Sequence, residues 1–211
     1  MNRSLIALSL VAAVAAVHAE RTLVPWRDPT VFEINRLPAR AIAVPCESGE
    51  LALEIARGEK PRTASKWLTS LNGTWDFKWK HNVTEADWEK TGTIDVPGCW
   101  QLQGDYDPAL YSNQVYPLAG YKNGDPMTPP PKEYTSWKFR NPVGLYSRTF
   151  TLPKDWEGRR TDIPFGGFSP AKFVRLNGKS VGFSEDSRLP AEFVLTPYLA
   201  EGENALEVEV L

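Results

Sequence analysis

The chain has 211 residues, of which 24 are basic and 26 acidic, so its formal net charge at pH 7 is −2. This length allows the chain to bury a sizeable core, and the lack of a basic excess argues against a nucleic-acid partner. Two cysteines are too few for a disulfide framework.

Residues 1–19 have the features of a secretory signal peptide. Arg3 gives a short positive start, residues 5–17 are apolar apart from Ser9, and Ala19 is a small residue at the expected cleavage position. The apolar run is shorter than the roughly 20 residues of a membrane helix, so a permanent membrane anchor is the weaker alternative. We therefore expect a secreted or periplasmic protein that is cleaved near Ala19.

Residues 20–66 predict an extended amino-terminal arm. The segment is rich in proline, arginine and alanine, and it contains one predicted helix, from Gly49 to Arg57, which begins after Ser48 and ends near Gly58. Because the arm has too few apolar residues to form a core of its own, it must lie on a larger body to be ordered.

Residues 67–211 have the pattern of a β domain. Trp75, Phe77 and Trp79 alternate with charged residues, which predicts a half-buried strand, and core packing is favoured over sugar stacking for both tryptophans. Many short strands between turns, with 18 prolines and 15 glycines, indicate an all-β jelly-roll β-sandwich rather than a βαβ fold. Further strands are predicted at 146–152, 163–165, 173–176 and 206–210.

An irregular region interrupts this pattern at residues 97–144, and a loop of that length is usually functional or packed on a neighbour. Core packing is also favoured for Trp100, which opens the loop. Cys46 and Cys99 are expected to be unlinked, although export would permit a disulfide. His81 is expected in a solvated turn, so residue types alone suggest no metal site.

Asp186 is the leading functional candidate. It follows a strand-like run, 173–183, that is broken by Asn177-Gly178, a dipeptide that favours a two-residue hairpin turn with positive φ at both positions. The hairpin delivers Asp186 to a loop, where binding residues often lie. The alternative is a turn residue, or a residue that forms a salt bridge with Arg188.

The spacing of the acidic residues gives no catalytic pair. Glycoside hydrolysis requires two carboxyl groups that face one anomeric carbon. Glu185 and Asp186 are adjacent in an extended segment and point to opposite faces. Asp186 could meet Glu192 only through a turn that the sequence does not establish. We therefore assign no catalytic residue.

Five motifs occur in one order along the chain, at residues 71–75, 96–101, 111–117, 141–144 and 185–193. This order resembles the amino-terminal part of the large β-galactosidases of glycoside hydrolase family 2, and the arm segment Trp26–Arg36 is similar to the opening of the same family. The resemblance covers nearly all of residues 24–211.

The resemblance implies a jelly-roll sugar-binding domain, the first of several in a longer retaining exo-glycosidase whose two catalytic glutamates lie in a later barrel. It implies that Asn113 and Asp186 contact galactose hydroxyls and that Asp186 helps to hold a sodium ion. Magnesium is implied for the complete enzyme, with ligands that this chain lacks. The expected partners are a β-galactoside and the remaining domains, and an oligomer is possible.

Three functional hypotheses follow. The favoured one is the amino-terminal part of an exported β-galactosidase, inactive by itself. The second is a free-standing carbohydrate-binding module. The unfinished strand at 207–211 argues against it. That strand also predicts an exposed apolar edge and a marginally stable isolated domain. The third is a structural domain of a glucuronidase or mannosidase, where the Asp-Ser-Arg-Leu-Pro loop would be unexpected.

Overall fold

The structure is a computed structural model, and it describes residues 25–83, 85–107, 142–168 and 170–211. The predicted signal peptide, Asn113 and most of the irregular region lie outside the described residues. Within the described ranges no helix is long and apolar enough to cross a membrane.

The described residues form two antiparallel sheets, which confirms the all-β prediction. One sheet has seven strands in the order β1-β7-β6-β9-β4-β2-β3, and the other pairs β5 with β8. The finer jelly-roll topology stays a prediction. The strands are β1 (Glu33–Ile34), β2 (Gly73–Lys80), β3 (Lys90–Val96), β4 (Val143–Thr151), β5 (Asp162–Phe165), β6 (Ala171–Leu176), β7 (Lys179–Glu185), β8 (Ala191–Val194) and β9 (Glu203–Val210).

One apolar core lies between the two sheets. The inward residues of β2, including Phe77 and Trp79, are buried, and so is Trp100, as predicted. Phe193 of β8 is fully buried in the same cluster as Leu206 of β9. Burying one such side chain contributes roughly 2–3 kcal/mol, so this apolar contact helps to hold the small sheet against the large one.

The last strand, β9, lies in the middle of the large sheet. It pairs with β4 from Glu203 to Val210 and with β6 from Leu206 to Val210. The expected exposed apolar edge at 207–211 is therefore wrong, because ladder hydrogen bonds cover both sides of this strand.

The arm lies on the β body, as predicted. Its strand β1 pairs with β7, and the backbone N–H of Glu185 donates to the carbonyl of Phe32 at 2.9 Å. Further along, Arg36 forms a bridge to Phe193, and the N–H of Leu37 donates to the carbonyl of Glu192 at 2.8 Å. The arm thus joins the large sheet to the small one.

The arm also contains the predicted helix, α1 (Gly49–Ala56). The Ser48 hydroxyl accepts a hydrogen bond from the backbone N–H of Leu51 at 3.1 Å, the usual role of an N-cap serine. At the other end, the N–H of Glu59 donates to the carbonyl of Glu54 at 2.9 Å, which closes the last turn.

The hairpin between β6 and β7 has the predicted turn. Asn177 and Gly178 have φ values of +53° and +73°, as a two-residue turn with positive φ at both positions requires. The Asn177 side chain also donates to the carbonyl of Tyr198 at 2.9 Å. These contacts fix one end of the hairpin, and Asp186 lies just beyond the other end.

Two smaller predictions have mixed outcomes. Cys46 and Cys99 are both free, as expected. His81 is not merely solvated, because its ring pairs with Glu89 and lies 4.3 Å from the Trp79 ring.

Candidate functional site around Asp186

Asp186 follows β7 directly and has an unusual backbone conformation. Its φ is +106°, and that of Arg188, two residues later, is +71°. Non-glycine residues rarely adopt such values, because they cost of order 1–3 kcal/mol unless the surroundings enforce them. Here the backbone N–H of Arg188 donates to the carbonyl of Phe168 at 2.5 Å. The loop is thus tied to the segment that precedes β6.

The partner of Asp186 is an arginine of the arm. Nη1 of Arg36 lies 3.1 Å from Oδ2 of Asp186 and also donates to the hydroxyl of Ser184 at 3.1 Å. The other terminal nitrogen of Arg36 pairs with Glu33. Arg188, the partner considered from the sequence, forms no ion pair within the described residues. The salt bridge proposed from local spacing is therefore wrong in its partner.

Lys172 lies beneath this arrangement. It is fully buried on β6, opposite Ser184 of β7 and Val210 of β9. Its ammonium nitrogen is 4.4 Å from the centre of the Phe168 ring and has no hydrogen-bond partner among the described atoms. Burial and the nearby Arg36 lower the pKa of Lys172 to about 8, and the Asp186 carboxylate partly offsets this effect.

Sequence reasoning missed both cationic residues. A signal for Lys172 was present, since it occupies an inward position two residues before the buried Val174 in a period-2 pattern. Arg36 gave no such signal, because 150 positions separate it from Asp186. The pairing of β1 with β7 and the bridge from Arg36 to Phe193 bring these two residues together.

The site is suited to binding polar groups. The Asp186 side chain is 48% exposed, and Arg36 engages one of its two oxygens. A carboxylate oxygen accepts hydrogen bonds from hydroxyl or N–H groups. Glu192, another acidic residue of the loop motif, is bound by Arg40 through two contacts of 2.6 and 2.8 Å. Each of these carboxylates thus has its own arginine from the arm.

The remaining candidate features of the described residues do not lie at Asp186. Asn113, the second predicted sugar contact, is outside the described residues. Across the described parts of the chain, no cluster of three or more histidine, cysteine, aspartate or glutamate residues could hold a metal ion. Two shallow depressions, of about 470 and 410 Å³, lie beside α1 and beside His81 rather than at Asp186.

Comparison with protein families gives one match, and it covers the β body. Residues 68–211 match the family profile described as "Glycosyl hydrolases family 2, sugar binding domain". The match includes Asp186, Lys172 and all the strands from β2 onward.

Curated proteins similar to this chain include two bacterial β-galactosidases. That of Priestia megaterium is 40% identical over 195 residues, which are 88% of this chain and 18% of the relative. That of Leuconostoc mesenteroides is 37% identical over 197 residues, 88% of this chain and 17% of the relative. The chain therefore spans less than a fifth of the length of either. Among solved structures, the β-glucuronidase of Faecalibacterium prausnitzii is 21% identical with a TM-score of 0.46, over 67% of this chain and 20% of that one.

Proposed function

The chain belongs to glycosyl hydrolase family 2, and on that premise we propose that it is the amino-terminal sugar-binding region of a β-galactosidase. The complete protein would remove terminal β-D-galactose residues with retention of configuration. The observation that carries the proposal is the identity of 36 to 40% to three β-galactosidases, each over 88% of this chain.

In this proposal Asp186 and Asn113 contact the galactosyl ring. The oxygen of Asp186 that Arg36 leaves free would accept a hydrogen bond from a sugar hydroxyl, and such a charged acceptor contributes about 1.5–3 kcal/mol. Asn113 offers both a donor and an acceptor, and its assignment rests on its motif alone. The two residues would orient the sugar without breaking its bond.

We assign bond cleavage to a part of the protein outside residues 1–211. A retaining glycosidase requires two carboxyl groups about 5–5.5 Å apart. Two of the three acidic residues of the loop motif, Asp186 and Glu192, are each paired with a separate arginine. The catalytic glutamates and any magnesium site would belong to the remaining domains, which are the proposed partners of this region.

Export is a further part of the proposal. It rests on Arg3, the apolar run at 5–17 and the small residue Ala19. Mass spectrometry of the mature protein should find its amino terminus at or near Glu20. A retained Met1 would contradict export by this route.

The function is tested by kinetics of the complete protein. We expect clear hydrolysis of an aryl β-galactoside and much slower hydrolysis of the matching β-glucuronide and β-mannoside. Asp186→Asn should lower kcat/KM by about tenfold or more, because one lost charged contact corresponds to at least that factor. Asp155→Asn, which changes another exposed aspartate, is the control and should have little effect. Residues 1–211 alone should show no turnover.

Two results would contradict this function. One is a preference of the complete protein for the β-glucuronide or the β-mannoside. The other is an Asp186→Asn variant with the kinetics of the wild type.

A further inference from the structure

The positive charge beside Asp186 comes from the protein itself. Arg36 is 17% exposed and has three partners, namely Asp186, Ser184 and Glu33. A guanidinium group is rigid and planar, so several simultaneous contacts fix its orientation. Since β1 is hydrogen-bonded to β7 next to these contacts, the arm determines where the Asp186 carboxylate is held.

Lys172 adds a second positive charge close by. Its ammonium group is buried and has no hydrogen-bond partner among the described atoms. A buried polar group of this kind is costly and calls for an explanation. The Asp186 carboxylate favours the charged form of Lys172. Lys172 also lies opposite Ser184, whose hydroxyl accepts from the same Arg36 nitrogen that contacts Asp186. The ammonium group is therefore part of the electrostatic environment of Asp186.

A sodium ion at Asp186, which the family resemblance implies, does not fit these residues. Hard cations need several oxygen ligands. Among the described residues, the two carboxylates that contact Arg36 leave few, because Glu33 is already paired and one oxygen of Asp186 is engaged. A third cation would also be repelled by Arg36, whose Nη1 lies 3.1 Å from Oδ2 of Asp186, and by the buried ammonium group of Lys172, because like charges repel.

We propose that Arg36 and Lys172 together replace a sodium ion at Asp186, with Arg36 as the positioning residue of the carboxylate. This inference rests on the proposed function, because it concerns how the same subsite holds the sugar. Asp186 would bind the galactosyl ring through its free oxygen while Arg36 keeps the other oxygen in place. Hydrolysis would consequently not depend on sodium.

The first test is kinetic and uses the complete protein with an aryl β-galactoside, in sodium chloride and in choline chloride of equal ionic strength. Replacing choline by sodium should change the wild-type kcat/KM by less than about twofold. The two salts screen charges equally at equal ionic strength, so any larger change would come from sodium itself. Arg36→Gln should lower kcat/KM by about tenfold or more. Arg36→Lys, which keeps the charge but loses the planar fork, should recover part of that loss. Lys172→Met should lower the rate several-fold and make it respond to sodium.

Arg40→Gln is the matched control. Arg40 also ties the arm to the β body through a two-contact ion pair, but with Glu192 instead of Asp186. If its kinetics fell as far as those of Arg36→Gln, Arg36 would be a structural anchor of the arm and the inference would be overturned. A saturable sodium activation of the wild type would overturn it as well.

The second test does not depend on activity. Sodium NMR relaxation of the complete wild-type protein and of Asp186→Asn should be the same, because Asp186 binds no sodium. A relaxation enhancement that Asp186→Asn removes would refute the inference. A complete protein that binds no sodium at Asp186 yet hydrolyses no β-galactoside would instead refute the proposed function alone.

Discussion

At the scale of single residues, Lys172 is the feature with the clearest energetic consequence. It is a fully buried lysine, and no described atom accepts a hydrogen bond from its ammonium group. The charged groups that influence it are Arg36 from the arm and Asp186 from the loop after β7, and Glu33 pairs with that same Arg36. A buried charge of this kind lowers the stability of the fold. A protein that keeps such a charge often uses it for a function.

The buried charge gives a definite pH dependence. The pKa of Lys172 falls from 10.5 to about 8 on folding. Below pH 8 the lysine is charged in both the folded and the unfolded state, and its full cost is present. Between pH 8 and 10.5 the unfolded state binds more protons than the folded state, so the free energy of unfolding rises with pH.

We therefore expect Lys172→Met to be more stable than the wild type at pH 7, by about 1–3 kcal/mol, because methionine has no charge to bury. The advantage should shrink as the pH rises from 8 to 10. Urea unfolding of the 211-residue chain, followed by tryptophan fluorescence at several pH values, measures this. The control is Lys179→Met, at an exposed position of β7. A variant that is less stable at every pH would contradict the argument.

This result also bears on the subsite. If Lys172→Met gains stability but lowers the proposed activity of the complete protein, unfolding cannot explain the loss. The buried ammonium group would then have a functional role.

At the scale of elements, the arm depends on a close backbone approach at Gly182 of β7. A Cβ atom at this position would lie 2.5 Å from the carbonyl oxygen of Ile34 and 2.6 Å from the Phe193 ring. Such distances are too short for any side chain, so either β1 or β8 would have to move. Glycine here is thus the condition for docking the arm against both sheets.

Gly182→Ala should release β1 from β7 and destabilise the chain by about 1–3 kcal/mol, the usual cost of overpacking. Hydrogen exchange at residues 32–37 should become faster. The kcat/KM for the proposed hydrolysis by the complete protein should fall, because Arg36 is displaced. Gly166→Ala is the matched control, since a Cβ atom there meets nothing within 4 Å. Unchanged exchange at 32–37 would show that the arm does not rely on this contact.

The elements that sequence could predict are those with a strong local signal. β2 has alternating aromatic residues, and the hairpin of β6 and β7 has an Asn-Gly turn. β3 was missed because Ile94 is its single buried residue, which leaves no apolar alternation to detect. The ion pair of Arg36 with Asp186 was beyond sequence reasoning, since it depends on where a distant arm docks and not on local spacing.

At the scale of the whole molecule, β9 joins two halves of the large sheet. On one side lie β4, β2 and β3, and on the other lie β6, β7 and β1. The two halves share the core cluster that contains Trp79 and Val174 as well as Leu206 of β9. A change in β9 should therefore be transmitted to both halves, which is the behaviour of a cooperative unit.

Leu206→Ala tests this cooperativity. Leu206 is fully buried and pairs with Arg148 of β4 on one side and Leu176 of β6 on the other. The substitution should cost about 2–5 kcal/mol, the range for a leucine removed from a core. Hydrogen exchange should then rise together in β2 and β7. Leu189→Ala, at a side chain that is 55% exposed, should change stability by less than about 0.5 kcal/mol. If exchange rose in one half and not in the other, β9 would be an ordinary strand, and the two halves would unfold independently.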